Sequence, residues 1–234
     1  MKKFIFYMLI TINCIITLCP TIFAHNGDIG FSYGAVSKEV KETFINNINI
    51  SLVSKLDSKE KICCFDINES GSIAIGTGKY FDKYVWIYSD KGDFQYGYKF
   101  NCSGSYGVEW NSDNIKIHFV RSDITIELNR YGDVINIYKI EKNPQNNYHW
   151  NNVVFSSKKQ QGENIYIAKD NNPLATSYSK LIKIDAKGYE TTVYDIEPIQ
   201  NVRYIISFLF LCVFLIIVFY TIKKQLLKNN QTND

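Results

Sequence analysis

The sequence predicts an all-β domain of about three four-stranded antiparallel meanders, with a short N-terminal helix and one C-terminal transmembrane helix. Three observations predict it. A glycine flanked by alternating apolar positions occurs three times, in residues 86–100 (WIYSDKGDFQYGYKF), 126–140 (IELNRYGDVINIYKI) and 182–196 (IKIDAKGYETTVYDI). Apolar residues at every second position on both sides of a turn are the signature of a half-buried hairpin. Aromatics make up 15 % of the chain, a composition that favours strands. Residues 204–222 form a run of 19 without a charge.

The chain begins with a secretory leader, residues 1–24. Lys2 and Lys3 supply the positive start, residues 4–18 the apolar core, Pro20 the break and Ala24 the residue before cleavage. An uncleaved anchor is the alternative, and either reading exports the domain. Residues 25–60 form an N-terminal segment. Gly27 and Tyr33 share the glycine-plus-six spacing of the hairpins, so residues 28–36 are either an outer strand or a chance match. Ser37 is an N-cap for a short helix with Val40, Phe44 and Ile48 on one face, and residues 49–56 then alternate as a strand.

Residues 61–197 hold the repeats. Counting from Gly92, Gly132 and Gly188, six residues before stand Trp86, Ile126 and Ile182; six after stand Tyr98, Tyr138 and Tyr194. Eight after stand Phe100, Ile140 and Ile196. Two further strand-like runs precede each hairpin: 62–66 and 72–75, 106–110 and 114–119, and 153–155 and 164–167. Turn residues separate them at 68–71, 111–114 and 158–162. Each unit is therefore four short strands in sequence order.

Such units resemble the blades of a β-propeller, as in WD-repeat and related extracytoplasmic repeat families. The resemblance is architectural: no Trp-Asp dipeptide closes a unit, and Tyr194-Asp195 comes nearest. Closed propellers start at four blades. The resemblance thus implies an open arc of three sheets, an arc completed by the N-terminal segment, or a ring completed by association.

After the repeats, residues 204–222 would span about 28 Å as a helix, close to the ~30 Å hydrocarbon core. Tyr204 and Tyr220 sit near its ends, and Lys223, Lys224 and Lys228 place the tail, residues 223–234, inside. The expected location is a cell membrane, single-pass, with the domain outside. Residues 25–203 carry 21 Lys/Arg against 22 Asp/Glu, so the net charge of +3 is not on the domain and nucleic acid is not an expected partner.

Among the cysteines of the exported part, Cys63, Cys64 and Cys102, an odd number favours free thiols, with a bridge from Cys63 or Cys64 to Cys102 left open. Adjacent Cys63 and Cys64 should point to opposite faces of a strand. Gly76-Thr77-Gly78-Lys79 is a hairpin loop rather than a phosphate loop, since Ile73 stands where a glycine is required and Tyr80 where Ser or Thr is. His25, His118 and His149 have no partner at zinc-ligand spacing. Asp66, Glu69, Asp90 and Asp93 cluster at turns, where carboxylates cap amides. No catalytic residue, metal site or cofactor is expected.

The function expected is a membrane-anchored extracytoplasmic binding or interaction module with a protein or glycan partner. The alternatives are an extracytoplasmic hydrolase with a carboxylate pair in an open groove, and an assembly subunit forming a homo-oligomer through open sheet edges. Tyr98, Tyr138 and Tyr194 recur and read as framework. Trp110 and Trp150 do not recur, and are the binding candidates.

Overall fold

The computed structural model describes residues 30–56, 59–171, 175–199, 202, 205–206 and 208–217. Residues 1–24, expected to be a leader, and residues 223–234, expected to be a tail, lie outside the described residues, as does part of the apolar run. Within that run residues 205–206 and 208–217 are helical. Among the described residues no helix is long and apolar enough to cross a membrane.

The chain from Phe31 onward is mainly β. The N-terminal segment gives strand β1 (Tyr33–Gly34), helix α1 (Lys38–Ile48) and strand β2 (Ser51–Val53). Ser37 caps α1 by accepting from the Val40 N–H, and Asn49 ends it in the left-handed region at φ 45°. The first meander is β3 (Ile62–Ile67), β4 (Ile73–Lys79), β5 (Asp82–Tyr88) and β6 (Phe94–Asn101). The second is β7 (Tyr106–Asn111), β8 (Asn114–Phe119), β9 (Ile124–Leu128) and β10 (Val134–Ile140). Helix α2 (Pro144–His149) and a π-helical turn (Trp150–Val154) lead to the third, β11 (Lys158–Gln161), β12 (Asn164–Lys169), β13 (Lys180–Ile184) and β14 (Glu190–Asp195).

Strands within each meander pair antiparallel in sequence order. The N-terminal strands then extend two of the sheets: β2 pairs with β6 and β1 with β10; of the described residues in 28–36, left open between an outer strand and a chance match, only Tyr33–Gly34 is a strand.

One turn construction closes all three glycine hairpins. The side-chain oxygen of Ser89, Asn129 or Asp185 accepts the backbone N–H two and four residues on. The glycine N–H donates to the carbonyl of that same residue. Gly92, Gly132 and Gly188 sit at φ 84–89°, a region that a Cβ disfavours. A short polar residue three before a glycine is therefore what the repeat encodes.

The first sheet lies between the other two. One of its faces packs through Val85, Ile87, Tyr98 and Phe100 on Ile115, Ile117 and Ile126 of the second sheet. The other packs through Phe65, Ile75, Trp86 and Tyr88 on Tyr166, Leu181 and Tyr194 of the third. The repeated positions are the core: Trp86, Ile126 and Ile182 are all buried, as are Phe100, Ile140 and Ile196. The first strands of the meanders also meet. Asp66 on β3 accepts the Trp110 N–H of β7 at 2.7 Å and the Lys159 ammonium of β11 at 2.9 Å.

Antiparallel order gathers the glycine turns at one end. The β4–β5 turn, the 102–105 link and the β8–β9 turn gather at the other, tied by Cys102 N–H to the Phe81 carbonyl and Val120 N–H to that of Ser105. The chain leaves the third sheet at this second end: Ile196 N–H donates to Ser179 O, and the adjacent Tyr178 pairs with Ile62, itself opposite Thr77 of β4.

Three strand expectations need correction. Residues 76–79, expected as a hairpin loop, are the second half of β4, and the turn that follows them is Tyr80-Phe81. Residues 153–155 are not a strand: Val153 and Val154 belong to the π-helical turn, and three apolar residues carry no period to tell the two apart. The first strand of the third meander is Lys158–Gln161, where the sequence suggests a turn; this edge strand of KKQQ shows no apolar alternation. Among the described residues the cysteines are free thiols, Cys102 included. Cys63 and Cys64 do not diverge to opposite faces, because a register shift between Ile62 and Cys64 brings their Sγ atoms to 3.9 Å.

Candidate functional site

The most concentrated polar chemistry lies on the outer face of the second sheet. Val108 turns into the core, so Gly107 and Glu109 face the other way. At Gly107 a Cβ would collide with Val154 and stand 3.2 Å from the Trp150 ring. The missing side chain lets the π-helical turn lie directly on β7, which seats His149 over Glu109. His118, paired with Gly107 and Thr125 across β7–β9, joins them.

Glu109 bridges two imidazoles. Its Oε1 is 2.8 Å from His149 Nε2 and its Oε2 is 2.8 Å from His118 Nε2. The second contact is short but off the line of a hydrogen bond, so it is electrostatic in character and leaves His118 Nε2 without an aligned partner. His118 Nδ1 lies 2.8 Å from Thr125 Oγ1. Phe31 closes the cluster, its ring centroid 4.8 Å from His118, 4.5 Å from His149 and 4.9 Å from Trp150. Burial pushes the Glu109 carboxyl up, but the contacts and charge of the two imidazoles outweigh it and hold it well below the usual carboxylate range. Burial pulls His118 below its ordinary value, against the attraction of Glu109.

A carboxylate aligned on an imidazole can support general-base chemistry. Here it is closed over: His118 and Thr125 are fully buried and His149 is 4 % exposed. The neighbouring bonds are those of a clamp. Buried Asn146 accepts from the N–H of Ser32 and donates to the carbonyls of Ser32 and Glu141. Together the two clusters fasten the N-terminal segment and α2 to the second sheet. Among the described residues no group of three His, Cys, Asp or Glu is arranged to hold a metal ion.

A second buried carboxylate, Glu127, is consumed in the same way. It accepts from the side-chain amides of Asn111, Asn114 and Asn136 at 2.7–3.0 Å. Burial raises its pKa, but these donors outweigh that and lower it.

The two tryptophans expected to bind fall in different settings. Trp150 is half-buried, stacked on Phe155 at 5.4 Å and edge-on to Phe31, within the Glu109 cluster. Trp110 is half-buried beside the core between the first and second sheets, its indole N–H buried without a hydrogen-bond partner among the described residues. Neither stands on an open loop.

Exposed features that could meet a protein partner stand at the glycine-turn end. Tyr131 and Tyr189 flank Gly132 and Gly188 and are 77 % and 69 % exposed. The turns at this end carry Glu69, Asp90, Asp93, Asp113, Asp133, Glu163 and Asp185 against Lys91, Arg130 and Lys187. An overall near-neutral domain thus has one acidic end. Sequence reasoning misses it because the charges come from six turns that only the topology unites.

No family model matches the chain, and neither a curated protein nor a solved structure is detectably similar to it.

Proposed function

We propose that the chain is an extracytoplasmic binding module, held at a membrane by residues 204–222, whose glycine-turn end engages a cationic protein surface. The observation that carries this is the gathering of three identically built turns at the end opposite the chain's exit, with exposed Tyr131 and Tyr189 among an excess of carboxylates. Tyrosines on a stiff frame bind at low entropic cost, and an acidic field steers a basic partner. The meeting of the three first strands supports a propeller-like reading of the sheets. β1 and β2 occupy part of the outer edges of β10 and β6, over two and three residues, which favours a binding module over a subunit that must associate to finish its sheets. The hydrolase reading needs a free carboxylate pair, whereas Glu109 and Glu127 are each committed to neighbours.

The test is a photoreactive benzoyl-phenylalanine at position 131 or 189 of the full chain in its own cells. A discrete protein adduct at both positions, declining as salt is raised before illumination, is the expected result. Absence of an adduct at both positions overturns the proposal.

A further inference from the structure

We infer that the β4–β5 hairpin tip, Tyr80-Phe81, rests in the headgroup interface of the bilayer beside the anchor; this relies on the membrane reading of residues 204–222. Tyr80 is 80 % and Phe81 66 % exposed, and Val120 on the neighbouring β8–β9 turn is 38 % exposed. Aromatic side chains with a polar tip are the residues that lodge at such interfaces.

The backbone supplies an independent observation. The tip is a two-residue turn between paired Lys79 and Asp82, a place that Asn and Gly fill without strain. Tyr80 instead holds φ 54°, a conformation that is an outlier for a bulky side chain. Core packing does not explain an aromatic kept in a strained and exposed position, whereas an apolar environment outside the protein does.

The height of the tip agrees with the anchor. Thr77 is level with Ile62 and Tyr178, and Ile196 bonds the next residue, Ser179, so the chain exit and Thr77 share one row. From there Tyr80 stands three residues further, roughly 10 Å at the rise of a strand. Eight residues lead from Ile196 to Tyr204, enough chain to reach the same roughly 10 Å. Tip and anchor start would then reach the interface together. The opposite end is acidic and is repelled by an anionic bilayer. Lys79, whose ammonium is 5.5 Å from the Tyr80 ring, adds a cation beside the tip.

The test places benzoyl-phenylalanine at position 81, and separately at 131, in the full chain reconstituted into vesicles of phosphatidylcholine and phosphatidylglycerol. After illumination, lipid adducts are read by mass spectrometry, and a parallel sample is washed with alkaline carbonate. The expected result is retention after the wash, with lipid adducts at 81 at least tenfold more frequent than at 131. Release by carbonate overturns the anchoring reading and this inference with it. Retention with adducts at 81 no more frequent than at 131 overturns the tip contact alone.

Discussion

The tyrosine six residues after each repeat glycine should not matter equally in the three copies. The Tyr98 hydroxyl donates to the Asn129 carbonyl at 2.8 Å, tying β6 to the glycine turn of the second sheet. That of Tyr194 donates to the Glu60 carbonyl at 2.7 Å, tying β14 to the chain entering β3. Tyr138 makes only a 3.3 Å contact to Glu127, a carboxylate that three asparagine amides already satisfy. Burial raises the pKa of Tyr98 and Tyr194, so both are neutral donors at any working pH. Replacement by Phe keeps the ring and deletes the bond. The net worth of such a bond is about 1 kcal/mol, and the Asn129 carbonyl keeps its other donor, Gly132 N–H, which holds the cost near that figure. Tyr98→Phe and Tyr194→Phe should each lower Tm by roughly 2–4 °C for a chain of this size. Tyr138→Phe should cost less than about 0.5 kcal/mol. The two costly changes lie in separate apolar clusters and should add to about 2 kcal/mol. Thermal unfolding of the full chain in detergent micelles, followed by near-ultraviolet circular dichroism, measures all four variants. A Tyr138→Phe cost equal to that of Tyr98→Phe would refute the assignment, because the repeat alone would then predict stability better than the bonds do.

Two further outcomes concern buried features. Gly97→Ala would bring a Cβ to 2.5 Å from the Trp86 ring and 2.9 Å from the Val85 carbonyl. The ring cannot slide freely, since its N–H donates to Thr77 Oγ1 and its face stacks on Tyr84, so a loss of about 1–3 kcal/mol by overpacking is expected in chemical unfolding; in a Trp86→Leu background the loss should be smaller but not absent, because the Val85 carbonyl still stands 2.9 Å away. The second outcome concerns acid. His118 is held below its ordinary 6.5 and Glu109 below its ordinary 4.5, so the unfolded chain binds these protons first as pH falls. The stability due to His118 is present above pH 6.5 and declines below it; that due to Glu109 declines below pH 4.5. Tm should therefore fall from about pH 7 to about pH 5, and His118→Gln should flatten that slope while keeping the loss at lower pH. An unchanged slope in the variant would show that other groups carry the pH dependence.

How much of the fold is legible in the sequence depends on how local the cause is. The three hairpins can be read because turn chemistry and alternation lie close together along the chain, and α1 because its cap and apolar face do. Lys158–Gln161 cannot, since an edge strand with little buried surface has no reason to alternate. Helix α2 does carry a local signal, Asn143 as N-cap before Pro144, although the helix is too short to show an apolar period. The Glu109 cluster draws on β7, β8, β9, α2 and Phe31, and no spacing rule joins residues that distant. Trp150 stands apart from the repeat pattern, and it does belong to that cluster. Trp110 stands apart on the same ground, yet it sits in the seam where the sheets meet.

The placement of β1 and β2 has a consequence for the order of events as the chain is made. Both are synthesised early, yet β2 has no ladder to join until residues 97–99 exist, and β1 none until 139–140. The first strands to appear are thus among the last to be placed. In the interval β6 and β10 present bare outer edges, the surface on which a second unfinished copy could dock. The N-terminal segment behaves as a delayed latch: its arrival shortens the bare edges, and the Asn146 and Glu109 clusters that bind Ser32 and Phe31 keep it in place.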